Sequence, residues 1–270
     1  MKPETAMNEM ARLDYIEKCE LSDCTHSLAE HTEAMKARLM SVDKPAVPAE
    51  PQGAVVAGSL IAFTEGVSRQ NKDDVMDSFL FATLVANKAF NPEAQTQLWY
   101  SKYNEVLSTL GWLSTHWNYA RYETTQQTFS MDQVGLEIIG SAIAAAALPG
   151  PTSAAMLKVA GDAIVALKSR EKPLNLFERQ VKTHKGGSFR IGACSESSDG
   201  FVNVGLGAVN FNSRIDVTNV LFWEWNTVDV STYQGKNSLV LNSNIYKRHR
   251  GLIQDRLGNN AKRAIEEFEI

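Results

Sequence analysis

"VGLEIIGSAIAAAALPGPTSAAMLKVAGDAIVAL", Val134 to Leu167, is the least polar passage of a chain in which 21% of residues are charged. Leu148-Pro149-Gly150-Pro151 divides it. Proline and glycine stop a helix, and Thr152 or Ser153 can cap the next one, so the local chemistry predicts an antiparallel helical hairpin. Glu137 is the one charge of the first arm; Lys158 and Asp162 sit four residues apart on the second, on one helix face. Gly140, Ala144 and Ala147 form a small-residue strip for close backbone approach. Each arm is apolar on nearly every face, so it must either be surrounded by protein or meet something apolar outside it. Arms of about 15 residues rise only ~22 Å, short of the ~30 Å hydrocarbon core, which argues against a resident transmembrane pair.

Outward from the hairpin, the N-terminal side reads as helical. Thr5 to Met40 is polar and poor in strand formers, with Ser22 and Asp23 as a helix start. Ser41 to Gly53 carries three prolines and reads as a linker. Ala54 to Val67 and Asp73 to Phe90 follow as two helical patterns. Asn91 and Pro92 then open a helix in which Trp99, Tyr103, Val106, Leu110, Leu113 and Trp117 recur at steps of four and three, giving a seam for packing against a neighbour. Gly111 within it costs about 1 kcal/mol relative to alanine.

Beyond the "GGS" at Gly186 to Ser188 the character changes. "FRIGAC", "FVNVGLGAV", "NVLFWEW", "VDVSTY" and "SLVLN" are short β-branched or aromatic runs separated by turn residues, and a helix follows from about Asn244 to Leu257. The expected fold is therefore α+β: an N-terminal helical segment (1–40), a Pro-rich linker (41–53), a helical bundle holding the hairpin (54–185), and a β-rich C-terminal module ending in helix (186–270).

The chain has 270 residues, 44% hydrophobic, with a formal charge of −4. A nucleic-acid coat needs clustered positive charge, so no nucleic-acid partner is expected. Three cysteines suit neither a disulfide framework nor a metal site, and His26, His31 and His116 lack metal-ligand grouping. "GLGAVNF" at Gly205 lacks the glycine spacing of a dinucleotide loop. Nothing supports Cys194 with His249 as nucleophile and base. The expectation is no enzyme, no cofactor and no metal. The N-terminus lacks the apolar run of a secretory signal, so a soluble form reaching a target membrane by a non-classical route is expected.

An Ala/Ile/Gly/Val hairpin turned at Pro-Gly, beside a long seam helix, resembles the membrane-entering element of α-helical pore-forming toxins. The similarity covers Val134 to Leu167 and the seam helix; the short helices and the appended β-rich region depart from that group. It implies a protein whose hairpin inserts conditionally into a lipid membrane, as a homo-oligomer or with a partner subunit. Ile138, Ile139, Ile143, Leu148, Met156, Leu157, Ile164 and Val165 would insert. Surface recognition falls to the C-terminal module, where alternation puts Trp223 and Trp225 on one side of a strand and Lys247, Arg248 and Arg250 suit anionic headgroups. The rival expectation is a non-enzymatic interaction or structural protein whose hairpin is permanent core.

Overall fold

A computed structural model describes residues 8–22, 50–183, 185–214 and 219–270. The helix expected after Ser22 and the linker from Ser41 to Ala49 lie outside the described residues. Helix α1 spans Glu9–Lys18, with the Asn8 side chain accepting from the Ala11 N–H. Strands β1 (Gln52–Val56) and β2 (Ser59–Phe63) precede α2 (Arg69–Ala89) and α3 (Thr96–Leu110). Strand β3 (Trp112–Arg121) and the short β4 (Thr128–Ser130) lead to α4 (Met131–Ala145), α5 (Gly150–Lys168) and α6 (Glu171–Val181). After β5 (Lys182–Thr183) come β6 (Gly186–Glu196), β7 (Val202–Ser213), β8 (Glu224–Asn226) and β9 (Val230–Leu241), then α7 (Ser243–Leu257), α8 (Asn259–Ala264) and β10 (Ile265–Glu269).

The fold is mixed α+β, built on one sheet in the order β10-β1-β2-β6-β7-β9-β3, with β5 paired to β6. Its pairings are antiparallel except β2 with β6, which are parallel. Helices cover both faces. One core joins the sheet to α2, α3 and α7 through Phe79, Tyr103, Trp112 and Tyr246; the other joins it to α4, α5 and α6 through Ile139, Met156, Phe177 and Phe189. Because β2 pairs with β6 from Ser59↔Arg190 to Phe63↔Cys194, the sheet runs across the expected boundary at residue 186.

One expected helix is a pair of strands, and the end of another is a strand. Ala54 to Val67 forms the β1–β2 hairpin, turned at Ala57 and Gly58, whose φ values of 45° and 79° belong to a two-residue hairpin turn. Both strands are buried on both faces, so their sequence is a continuous apolar run without alternation, which helix and strand share. The seam helix ends at Gly111, whose φ of 105° makes it a left-handed C-cap, and Leu113 and Trp117 lie in β3. Trp99, Tyr103, Val106 and Leu110 are buried on α3 as the spacing implied. Asn91 and Pro92 do not open the helix, which begins at Thr96 behind Gln95; the Asn91 Oδ1 instead accepts from the Glu93 and Ala94 N–H groups at 2.9 Å, closing a turn that precedes α3.

Arg190 is 3% exposed in the middle of β6. Its guanidinium stacks 4.9 Å from the Trp99 ring centroid and 5.2 Å from that of Tyr103. It also donates to Ser59 Oγ at 2.7 Å and to the Ala57 carbonyl, tying the β1–β2 hairpin to α3.

Candidate membrane-facing site

The hairpin forms as its chemistry requires. Ser130 and Gln133 make a capping box at the start of α4, and buried positions then follow at Met131, Val134, Ile138, Ile139, Ala142 and Ile143, one stripe of a helix. Ala147 adopts φ 52°, and Pro149 precedes α5. Ser153 does not cap α5 through its side chain; its hydroxyl donates back to the Leu148 carbonyl at 3.4 Å.

The buried stripe lies on the sheet. A Cβ added to Gly205 would stand 2.6 Å from Ile143 Cγ1, and one added to Gly207 would stand 3.1 Å from both Ile138 Cγ2 and the Ile139 nitrogen. The glycines of "GLGAVNF", which fit no nucleotide loop, are thus the seat of α4 on β7. Only residues without a Cβ let helix backbone and strand backbone come that close. Across the hairpin, Met156 Sδ accepts from Ser195 Oγ at 3.3 Å. Ile143 over Gly205 and Met156 against Ser195 place the turn of the hairpin at the sheet end where β6 passes into β7.

Of the residues expected to insert, Ile138, Ile139, Ile143, Met156 and Ile164 are buried against the sheet and Leu148 is half-buried. Leu157 is 42% and Val165 72% exposed. No charge occurs from Ile138 to Leu157, and Ala144, Ala145, Ala147, Ala154 and Ala155 are exposed there. Phe201, in the β6–β7 turn, and Leu113, at the start of β3, are each 57% exposed. Leu113 pairs with Val240, which pairs with Asn203, and these positions alternate with buried residues of the opposite core, so they face the hairpin's side of the sheet. Nearby charges are engaged: Lys158 with Asp162 at 2.6 Å, Lys236 with Ser141 Oγ at 2.9 Å, and Glu137 with the Tyr122 hydroxyl at 2.8 Å. Among the described residues no helix is long and apolar enough to cross a membrane.

The C-terminal recognition residues do not converge. Residues 219–223 form a turn rather than a strand, with Val220 and Leu221 buried. Trp225 is buried, its ring 5.1 Å from that of Phe211, while Trp223 is 45% exposed. Trp225 therefore belongs to the core and not to a recognition surface. The basic cluster is largely neutralised, because α7 lies against α1 and α2. Arg248 meets Glu9 at 2.6 Å, Arg250 grips the buried Asp74 carboxylate with two bonds of 2.7 and 2.6 Å, and Lys247 donates to Asn244. Cys194 is fully buried, and burial pushes its thiol up, away from the reactive thiolate.

His249, between those arginines in sequence, is 1% exposed, and neither ring nitrogen has a hydrogen-bond partner among the described residues. Burial lowers its pKa below the ordinary 6.5; Arg12 and Arg248 lower it further, against the pull of Glu9. Above 6.5 the ring is neutral in both folded and unfolded chains. As pH falls below 6.5 the unfolded chain takes the proton first, so stability is lost until the folded chain is protonated too. The wild-type Tm is expected to fall more between pH 7.5 and 5.5 than that of His249→Leu; parallel Tm profiles would remove His249 from the acid response.

No protein-family model matches the chain, and no curated protein matches it. Among solved structures, a delta-endotoxin is similar over 74% of this chain and 87% of its own, at 13% identity and a TM-score of 0.40. The Evf virulence factor is similar over 78% of this chain and 82% of its own, at 11% identity and a TM-score of 0.32. Neither similarity is close enough to carry an argument about this chain.

Proposed function

We propose that this is a membrane-active, toxin-like protein whose α4–α5 hairpin engages lipid conditionally, tip first. The observation that carries this reading is the uncharged stretch from Ile138 to Leu157, whose turn and outer face are exposed at the same end of the sheet as Phe201 and Leu113. Its exposed alanines and prolines offer a lipid interface no charge to desolvate, whereas a charge at the bilayer centre costs several kcal/mol. Full insertion would also require α4 to leave Gly205 and Gly207, and the buried isoleucines would then exchange protein for hydrocarbon. Helices of 15 and 19 residues, about 22 and 28 Å, favour shallow or assembled insertion over two independent spans. Surface recognition by the C-terminal region rests on Trp223, the exposed one of the two expected tryptophans.

The second reading, a permanent core in a non-enzymatic interaction protein, is favoured by the depth at which Ile138, Ile139 and Met156 sit. Dye-loaded vesicles, neutral and anionic, at neutral and acidic pH, separate the two. The wild type is expected to release dye in at least one condition. Ile143→Asp buries an unpaired carboxylate and is expected to lose stability on either reading. Ala154→Glu with Leu157→Glu lies on the exposed face of α5 and should keep stability within about 1 kcal/mol. Leakage by that double variant is expected to fall at least tenfold. A folded wild type that releases nothing in any condition would sink the membrane reading.

A further inference from the structure

We propose that an open polar cleft at the opposite end of the sheet, where β3 ends and β9 begins, binds a neutral carbohydrate. The cleft encloses about 360 Å³, room for one or two sugar rings. Thr232 lies in its wall, 4% exposed, and its buried Oγ1 has no hydrogen-bond partner among the described residues. A buried hydroxyl without a partner is costly to keep, and a ligand hydroxyl reaching it would satisfy both its donor and its acceptor capacity.

The rest of the lining has the same chemistry. Thr227 Oγ1 donates to the Gln127 carbonyl, which leaves its lone pairs free, while Thr124 Oγ1 accepts from the Gln126 N–H and bonds the Tyr122 hydroxyl. Ser231 is exposed at the rim. Groups that both give and take a hydrogen bond match ligand groups that do the same, and these are hydroxyls. Arg121 and Glu123 at the mouth cancel in charge, so neither an anion nor a cation is selected. The Tyr122 hydroxyl is held by Glu137, leaving its ring as an apolar wall for the C–H face of a sugar.

The inference stands apart from the hairpin. The Ala154→Glu, Leu157→Glu protein should lose leakage and keep this binding. The full chain is to be tested against immobilised neutral oligosaccharides of hexose, N-acetylhexosamine and fucose, beside sialylated and sulfated glycans and phosphatidylcholine and phosphatidylserine vesicles. A neutral glycan is expected to bind, and Thr232→Val, which removes one hydroxyl at constant shape, should weaken it at least tenfold while Tm stays level or rises. A hydroxyl that only filled space would leave affinity unchanged. Should Thr232→Val not fold, Ser231→Ala with Arg121→Gln, at exposed positions, takes its place with the same expected loss. Failure to bind any neutral glycan, binding confined to acidic glycans or to vesicles, or affinity untouched by the variants would overturn the assignment.

Discussion

Arg190→Met is expected to lower unfolding stability by about 3 kcal/mol, read as a shift in urea midpoint at unchanged slope. The guanidinium lies 4.9 and 5.2 Å from the centroids of Trp99 and Tyr103, two rings that stack on each other, an arrangement worth about 2 kcal/mol when desolvated. Its removal leaves Ser59 Oγ and the Ala57 carbonyl without their donor in a buried site. The opposing effect is desolvation: none of its hydrogen-bond partners among the described residues is a carboxylate, so the buried charge is costly and an apolar side chain recovers part of that cost. The buried Ser59 hydroxyl and the half-buried Ala57 carbonyl decide the sign, because methionine can satisfy neither. Arg190→Lys should recover less than half of the loss, since an ammonium cannot stack on both rings while also reaching the carbonyl and the hydroxyl. A methionine variant as stable as the wild type would show that desolvation cancels every contact.

Gly207→Val is expected to cost about 2 kcal/mol and to loosen α4 on the sheet. The first added carbon already stands 3.1 Å from a helix backbone nitrogen, and the two γ-methyls extend beyond it. Valine's strand preference is worth under about 1 kcal/mol here, so overpacking wins. Two measurements on this variant divide the functional readings. If the hairpin engages lipid, a weakened seat speeds its release, and dye leakage rises as stability falls. If the hairpin is permanent core, stability falls and leakage stays at the baseline of empty vesicles.

Several elements were legible because their signals are local. The hairpin showed itself through two arms apolar on nearly every face and a Pro-Gly turn within 34 consecutive residues, Val134 to Leu167. Helix α7 matched its expected limits to within a residue at its start, and β6 and β7 followed their β-branched runs, while β9 joins two expected runs, "VDVSTY" and "SLVLN", into one strand. Strands β1 and β2 were not legible, because full burial on both sides erases the alternation that identifies a strand. Strand β3 was masked by chance: Leu113 and Trp117 continue the four-and-three spacing of α3 past Gly111, and the helix stops there because of backbone conformation and not because of polarity.

For the candidate sites the division is sharper. The amino-acid sequence alone determined a sparsely charged, small-residue helical hairpin too short for an ordinary membrane span, since composition, periodicity and rise per residue need no partner. Only the tertiary structure decided which side of the hairpin meets the sheet and that Gly205 and Gly207 form its seat. It also buried Trp225 and left Trp223 out, and it neutralised Arg248 and Arg250 with acids 239 and 176 residues away. The cleft around Thr232 joins the ends of β3 and β9 in the same way. Burial and charge pairing depend on neighbours in space, and those neighbours are brought together by strand pairing across the whole chain.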